Sequence, residues 1–213
     1  ILELCYKATP VKKGQRNITL KMVAKAYQKP NLRYDKNGEE HYNIISAFIK
    51  SMRGSQPDAT LYWLGRMIEA GEDPLFIARR MVIFASEDVS LADVHALPLT
   101  VAGMQACDMI GYPECGITLS HVAVYLATCP KSNETYAAYG KAMDDVKKHL
   151  NEPVPLNLRN APTKLMKELG YHQGYKYSHN HPGADGEQQY LPDALRDAVY
   201  YQPKKNPGRP RSL

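Results

Sequence analysis

The side chains able to do chemistry are few and scattered. Of seven histidines, His41, His95, His121, His149 and His172 stand alone, and only His179 and His181 form a close pair. Two imidazoles in a Gly- and Pro-bounded loop could touch a metal ion, but no third ligand accompanies them, so solvated loop histidines are the favoured reading. His121, on an otherwise apolar helical run, reads as a hydrogen-bonded core histidine. Cys5, Cys107, Cys115 and Cys129 have no metal-ligand spacing, and Cys107 and Cys129 read as small buried hydrophobes in a reducing compartment.

Glu87, Asp88 and Asp93 form the one carboxylate cluster. Asp93 fits a helix cap, and Glu87 and Asp88 fit exposed loop acids or partners of nearby arginines. The sequence contains no Gly-rich Lys-Ser/Thr phosphate loop, no paired acids at a strand end and no Gly-x-Ser-x-Gly elbow. No nucleophile–base pair emerges. The catalytic, metal and cofactor assignments for this chain are therefore none.

One stretch mixes basic and aromatic residues. Arg159, Lys164, Lys167 and Lys176 alternate with Tyr171, Tyr175 and Tyr177. Such a mixture grips phosphates and stacks bases. The alternative is that the tyrosines pin an extended segment to the body of the protein, and it is favoured because stacking platforms usually sit on sheets.

The elements that position these residues are helical. The 213 residues are 44% hydrophobic and 23% charged, enough for one large domain with appendages. Net charge is +5, made of +6 in residues 1–30, −5 in 31–198 and +4 in 199–213. The basic ends suit nucleic acid or an acidic partner, or are solvated tails. No apolar run reaches transmembrane length and no signal peptide opens the chain. The opening Ile1-Leu2-Glu3-Leu4 reads as the end of a helix, hence a chain cut from a longer protein.

Helical periodicity predicts a run from Ile18 to Gln28 capped by Asn17, then helices at 39–52, 57–70, 74–85, 92–110, 113–127, 133–149 and 163–169, with a further turn or two at 191–198. Ile45, Phe48, Ile49 and Met52 form the inward stripe of the second. Gly54 is expected to be its left-handed cap and Ser55 the next N-cap. Two helices, at 57–70 and 74–85, carry apolar residues on more than one side, which implies burial against two neighbours, and another subunit could be one of these. A small-residue seam, Ala92, Ala96, Leu99, Gly103, Ala106 and Ile110, follows. The class is all-α, a collar-like bundle of about seven or eight helices with an irregular, Tyr-rich C-terminal segment.

Several runs in fixed order carry a family likeness: Lys50-Ser51-Met52-Arg53-Gly54-Ser55, Leu61-Tyr62-Trp63-Leu64, Gly71-Glu72-Asp73-Pro74-Leu75 and Ala85-Ser86-Glu87-Asp88-Val89. Pro130-Lys131-Ser132, the run from Leu158 to Lys167, and the Gly-Tyr pairs at 170–171 and 174–175 complete it. Over residues 35–201 the chain resembles the C-terminal region of the RarA/MgsA family of AAA+ ATPases, whose eukaryotic relative is Werner helicase-interacting protein. Ser90 and Val94 stand where Gly and Pro are usual, and Ile49 replaces a usual His.

The resemblance implies a parent that is a DNA-dependent AAA+ ATPase, related to clamp loaders, acting at stalled replication forks. ATP and Mg would bind upstream of this fragment, which would tetramerise the parent without catalysing anything. Residues 1–34 would be the end of the lid and its linker, 35–150 the oligomerisation domain, 151–201 an extension packed on it, and 202–213 a flexible basic tail. The expected interface is Leu61, Tyr62, Trp63, Leu64, Ile77, Met81 and Phe84. Expected partners are a second copy of the chain, forming a homotetramer, with DNA and replication-fork proteins, and no membrane. The alternative role is DNA or partner binding through Arg159, Lys164, Lys167, Lys176, Tyr175 and Tyr177. The compartment would be the cytoplasm and nucleoid of a bacterium, or a eukaryotic nucleus.

Overall fold

A computed structural model describes residues 19–20, 39–181 and 188–203. Among them are seven α-helices and no β-strand, an all-α fold as expected. They are α1 (Glu39–Arg53), α2 (Pro57–Glu69), α3 (Pro74–Phe84), α4 (Ala96–Ile110), α5 (Cys115–Thr128), α6 (Glu134–Lys148) and α7 (Lys164–Glu168). None is long and apolar enough to cross a membrane. The expected helix at 18–28, its Asn17 cap and the basic tail from 204 lie outside the described residues.

The chain divides into two compact units, one containing α1 to α5, the other Ser86–Val94 with the described residues from Pro130 onward. In the first unit α5 is the central helix and packs against α1, α2, α3 and α4. Its sequence explains this position. Cys115, Leu119, Val122, Ala123, Leu126 and Ala127 are buried on it, and no charged residue occurs along its length. Around it α1 contributes Ile44, Ile45, Phe48 and Met52, and α3 contributes Ile77, Ala78, Met81 and Phe84. Ile49 is only half-buried. Gly103 lets α4 approach α5 closely: a Cβ there would lie 2.6 Å from Val122 Cγ2.

Local chemistry sets the helix ends. Asp73 caps α3, its carboxylate accepting from the N–H groups of Leu75 (3.0 Å) and Phe76 (3.1 Å), with Pro74 in the first turn. The end of α1 departs from expectation. Ser55, not Gly54, takes the left-handed conformation, at φ 54°, and is therefore no N-cap. The Ser55 N–H donates to Met52 O and the Gln56 N–H to Ser51 O, closing a Schellman motif with a serine in its left-handed position. Gly54 serves space instead: a Cβ there would come within 3.2 Å of Lys50 O.

After α3 the chain makes one π turn, Ala85–Val89, and a 3-10 turn, Ser90–Ala92, before α4 begins at Ala96. The expected start at Ala92 is four residues early. His95, not Asp93, occupies the cap position of α4. Ser90 adopts φ 51°, which gives the usual glycine there a reason, since a left-handed backbone costs an L-residue about 1–2 kcal/mol.

In the second unit the Ser132 N–H donates to Asp88 O at 2.8 Å, and Ser90 and Thr135 share a short hydroxyl contact. Asp88 is buried, so the reading of an exposed loop acid fails for it. Ser132 Oγ accepts from the Glu134 N–H at 3.3 Å at the start of α6. The Tyr200 hydroxyl donates to Asp145 of α6 at 3.2 Å, and Asn157 donates to Gln189 O at 3.1 Å. Asp193–Leu195 is a single 3-10 turn where one or two helical turns are expected.

Candidate functional site

The residues singled out as an assembly surface separate into two sets. Leu64, Ile77, Met81 and Phe84 are each no more than 2% exposed and belong to the core of their own unit. Leu61 and Tyr62 are exposed, Tyr62 by 58%, and Trp63 is half-buried between the Tyr62 ring, 5.0 Å away edge-on, and the Arg66 guanidinium, 5.8 Å from its ring centroid. The double apolar face of α3 is explained within the unit, because α3 packs against both α4 and α5.

A second apolar surface lies on α4, where Asp108 is the only charged residue. Ala96, Thr100, Gly103 and Cys107 turn inward. On the opposite side Leu97, Val101 and Met109 are exposed by 44%, 40% and 79%. A helix apolar all round belongs in a protein interior, and half of this one faces outward. On α5 Ile117 is 76% exposed and His121 is exposed one turn on. His121 is thus no core histidine: the buried stripe of α5 runs through Leu119, Val122, Ala123 and Leu126, and position 121 falls outside it.

The basic–aromatic stretch lies in the second unit and is not one surface. Arg159 is held internally. Its Nε donates to Val154 O at 2.7 Å, its Nη1 to the Tyr171 hydroxyl at 3.2 Å, and its guanidinium lies 5.1 Å from the Tyr171 ring centroid. Lys164 projects from α7 with its side chain 92% exposed, 3.9 Å from Glu168. Lys167, Tyr175 and Tyr177 are exposed and Lys176 is half-buried. Thr163 caps α7 by accepting from the Met166 N–H at 3.3 Å. The Tyr177 and His179 rings lie 5.1 Å apart, tilted by 56°.

Two features have no sequence signal. Cys107 at the end of α4 and Cys115 at the start of α5 come together under the Gly111–Tyr112–Pro113 turn, the Cys107 thiol 3.7 Å from Cys115 O. Burial, then the neighbouring Cys115, pushes the Cys107 thiol up to about 11, and Cys115 is likewise raised by burial. Tyr112 is raised to about 12, first by burial and then by the two thiols. The pair is a protonated, inert element of packing.

The other feature is a cleft of about 450 Å³ between α1 and α3. His41 Nδ1 lies 2.9 Å from Glu72 Oε2 at its edge, and the His41 ring lies 5.4 Å from that of Phe76. The lining includes Ile45, Ile49, Lys50, Arg53 and Arg80, and no acidic residue.

The same surfaces can be set beside known proteins. Residues 54–211 match the family described as MgsA AAA+ ATPase C terminal, and residues 1–53 match an AAA C-terminal domain family. This chain belongs to the MgsA AAA+ ATPase C-terminal family. Among its relatives is an uncharacterized AAA domain-containing protein of Mycobacterium tuberculosis, 46% identical over 87% of this chain and 41% of its own length. The ATPase WRNIP1 of Dictyostelium discoideum is 44% identical over 88% of this chain and 22% of its own. The replication-associated recombination protein A of Escherichia coli K12 is 41% identical over 89% of this chain and 43% of its own. The chain thus spans less than half the length of these relatives. The likeness read from the short runs agrees with the match, and the π turn, the Schellman turn at Ser55 and the α4 face all lie within it.

Proposed function

We propose that this region assembles its parent AAA+ ATPase, with copies of the chain meeting through the outward face of α4. The observation that carries this reading is the exposure of Leu97, Val101 and Met109 on a helix with a single charge. Large apolar side chains exposed on one side of a helix, here interspersed with Gln105 and Asp108, suit an interface with a polar component, and a second copy is the partner always at hand. The exposed Leu61 and Tyr62 of α2 supply further apolar area. The resemblance supplies the subunit count, four, arranged as a collar akin to that of clamp loaders.

In this reading the fragment is non-catalytic. ATP and Mg belong to the nucleotide domain of the parent, since this sequence carries no Gly-rich phosphate loop. The parent would act on DNA at stalled forks, in a bacterial cytoplasm and nucleoid or a eukaryotic nucleus, together with fork proteins. The names of the relatives, a recombination protein associated with replication among them, support that setting. Light scattering tests the assembly. The intact chain is expected to be a tetramer that Val101→Asp with Met109→Asp converts to folded monomer; an unchanged mass in the double variant contradicts the α4 interface.

A second role, contact with DNA, rests on the exposure of Lys164, Lys167, Tyr175 and Tyr177. Arg159, half-buried and bonded to Val154 O and the Tyr171 hydroxyl, also orders that segment. Replacing Lys164 and Lys167 by Ala is expected to lower DNA affinity and reduce the salt slope by about 1–2. Equal affinity and slope for the variant would refute this role.

A further inference from the structure

The cleft between α1 and α3 belongs to neither role. Its interior is apolar, formed by Ile45, Ile49 and Phe76, and its rim is cationic: Lys50 and Arg53 from α1 at i, i+3 spacing, and Arg80 from α3. Buried Arg80 Nε has no hydrogen-bond partner. Neither Lys50 nor Arg80 has an ion-pair partner among the described residues. A guanidinium nitrogen desolvated without an acceptor is uncommon in folded proteins. At the edge Glu72 is occupied twice, facing His41 and accepting from the Asp73 N–H at 3.0 Å.

We infer that this cleft is a docking site for an acidic peptide segment of a partner protein, one apolar side chain seated on Ile45, Ile49 and Phe76 and carboxylates paired with Lys50, Arg53 and Arg80. About 450 Å³ suits one or two large side chains rather than a folded domain. An apolar floor with a charged rim is the arrangement by which grooves recognise short segments, the floor supplying affinity and the rim specificity. The chain's own ends are excluded by charge: residues 1–30 carry +6 and 199–213 carry +4. A nucleic-acid strand fits the rim and is the competing occupant: Tyr42, 70% exposed, offers a ring, but the floor of Ile45 and Ile49 is aliphatic and Phe76 lies against His41, which favours an apolar side chain there.

The test uses the full chain and three fluorescein-labelled probes: a peptide of about twelve residues rich in Asp and Glu with one Leu and one Phe, its Asn/Gln counterpart, and an oligothymidylate of similar length. Anisotropy is expected to show saturable binding of the acidic peptide and at least tenfold weaker binding of the amide version. Lys50→Gln with Arg53→Gln, which adds no acid to the last turn of α1 and whose fold is checked by circular dichroism and the urea midpoint, is expected to weaken the acidic peptide at least tenfold. Arg80→Met is expected to do the same, while Lys164→Glu leaves it unchanged. The Lys50/Arg53 variant should keep the wild-type mass by light scattering, which separates this site from the assembly surface. No binding of the acidic peptide, equal binding by the Lys50/Arg53 variant, or displacement of the peptide by oligothymidylate would overturn the inference.

Discussion

Gly103→Ala measures how tightly the first unit is built. The added Cβ would stand 2.6 Å from Val122 Cγ2 and 3.9 Å from Thr118 Cγ2. Carbon atoms rest at about 3.5–4.0 Å, so the helices or Val122 must yield by roughly 1 Å. Val122 is 2% exposed on the central helix, and its β-branched side chain has one strongly preferred helical rotamer, so it has little room to turn away. Overpacking of this kind costs about 1–3 kcal/mol. Against it stands the higher helix propensity of Ala, about 1 kcal/mol. The net expectation is a loss of up to about 2 kcal/mol, so the coupling to Val122 is the decisive reading. Urea unfolding at one fixed protein concentration reads this as a lower midpoint with an unchanged slope. The double variant Gly103→Ala/Val122→Ala should be less destabilised than the two single changes added together, by at least about 1 kcal/mol, because shortening Val122 frees the space. A Gly103→Ala protein as stable as the wild type, with no coupling to Val122, would refute the close approach of α4 to α5.

Three further outcomes follow from the capping and burial described above. Asp73→Ala removes the acceptor of two N–H groups at the start of α3 and is expected to cost about 1 kcal/mol, while Asp73→Asn retains most of it; equal thermal midpoints for all three proteins would contradict the cap. In a Cys5→Ser background, an aromatic disulfide reagent at pH 8 is expected to leave Cys107, Cys115 and Cys129 unreacted until denaturant is added, and rapid release of thiolate from native protein would contradict their burial. Cys107, raised from 9.0 to about 11, and Tyr112, raised from 10.0 to about 12, hold their protons more tightly folded than unfolded. Their contribution is complete below about pH 9 and is lost as pH rises towards 11–12, so the urea midpoint should fall across that range, less so in Tyr112→Phe; an identical fall in that variant would refute the Tyr112 assignment.

The sequence made helix positions legible wherever a signal was local. Asp73-Pro74 and Thr163 act through their nearest N–H groups, and the spacing of Ile45, Phe48 and Met52 follows from helix geometry alone. Signals that depend on distant residues were not legible. Gly54 looked like the left-handed residue because glycine tolerates that conformation, yet its lack of a side chain is needed for space beside Lys50 O, and Ser55 takes the strained angle. His121 looked buried by the company it keeps along the chain, but the phase of the α5 stripe turns it outward. Arg159 carries a hydrogen bond to Tyr171, twelve residues on, that its neighbours in sequence do not announce. His41 meets Glu72 only because α1 packs near the loop that precedes α3, and Cys107 meets Cys115 because the turn at 111–114 folds α5 back on α4. The near absence of charge on α4 was in plain view, but only the structure shows that one side of it stays uncovered.

Light scattering of the intact chain over a dilution series tests the assembly reading most directly. The expected mass is near four times that of the 23.9 kDa chain, stable to dilution and lost in Val101→Asp/Met109→Asp. A mass of one chain at every concentration would contradict it.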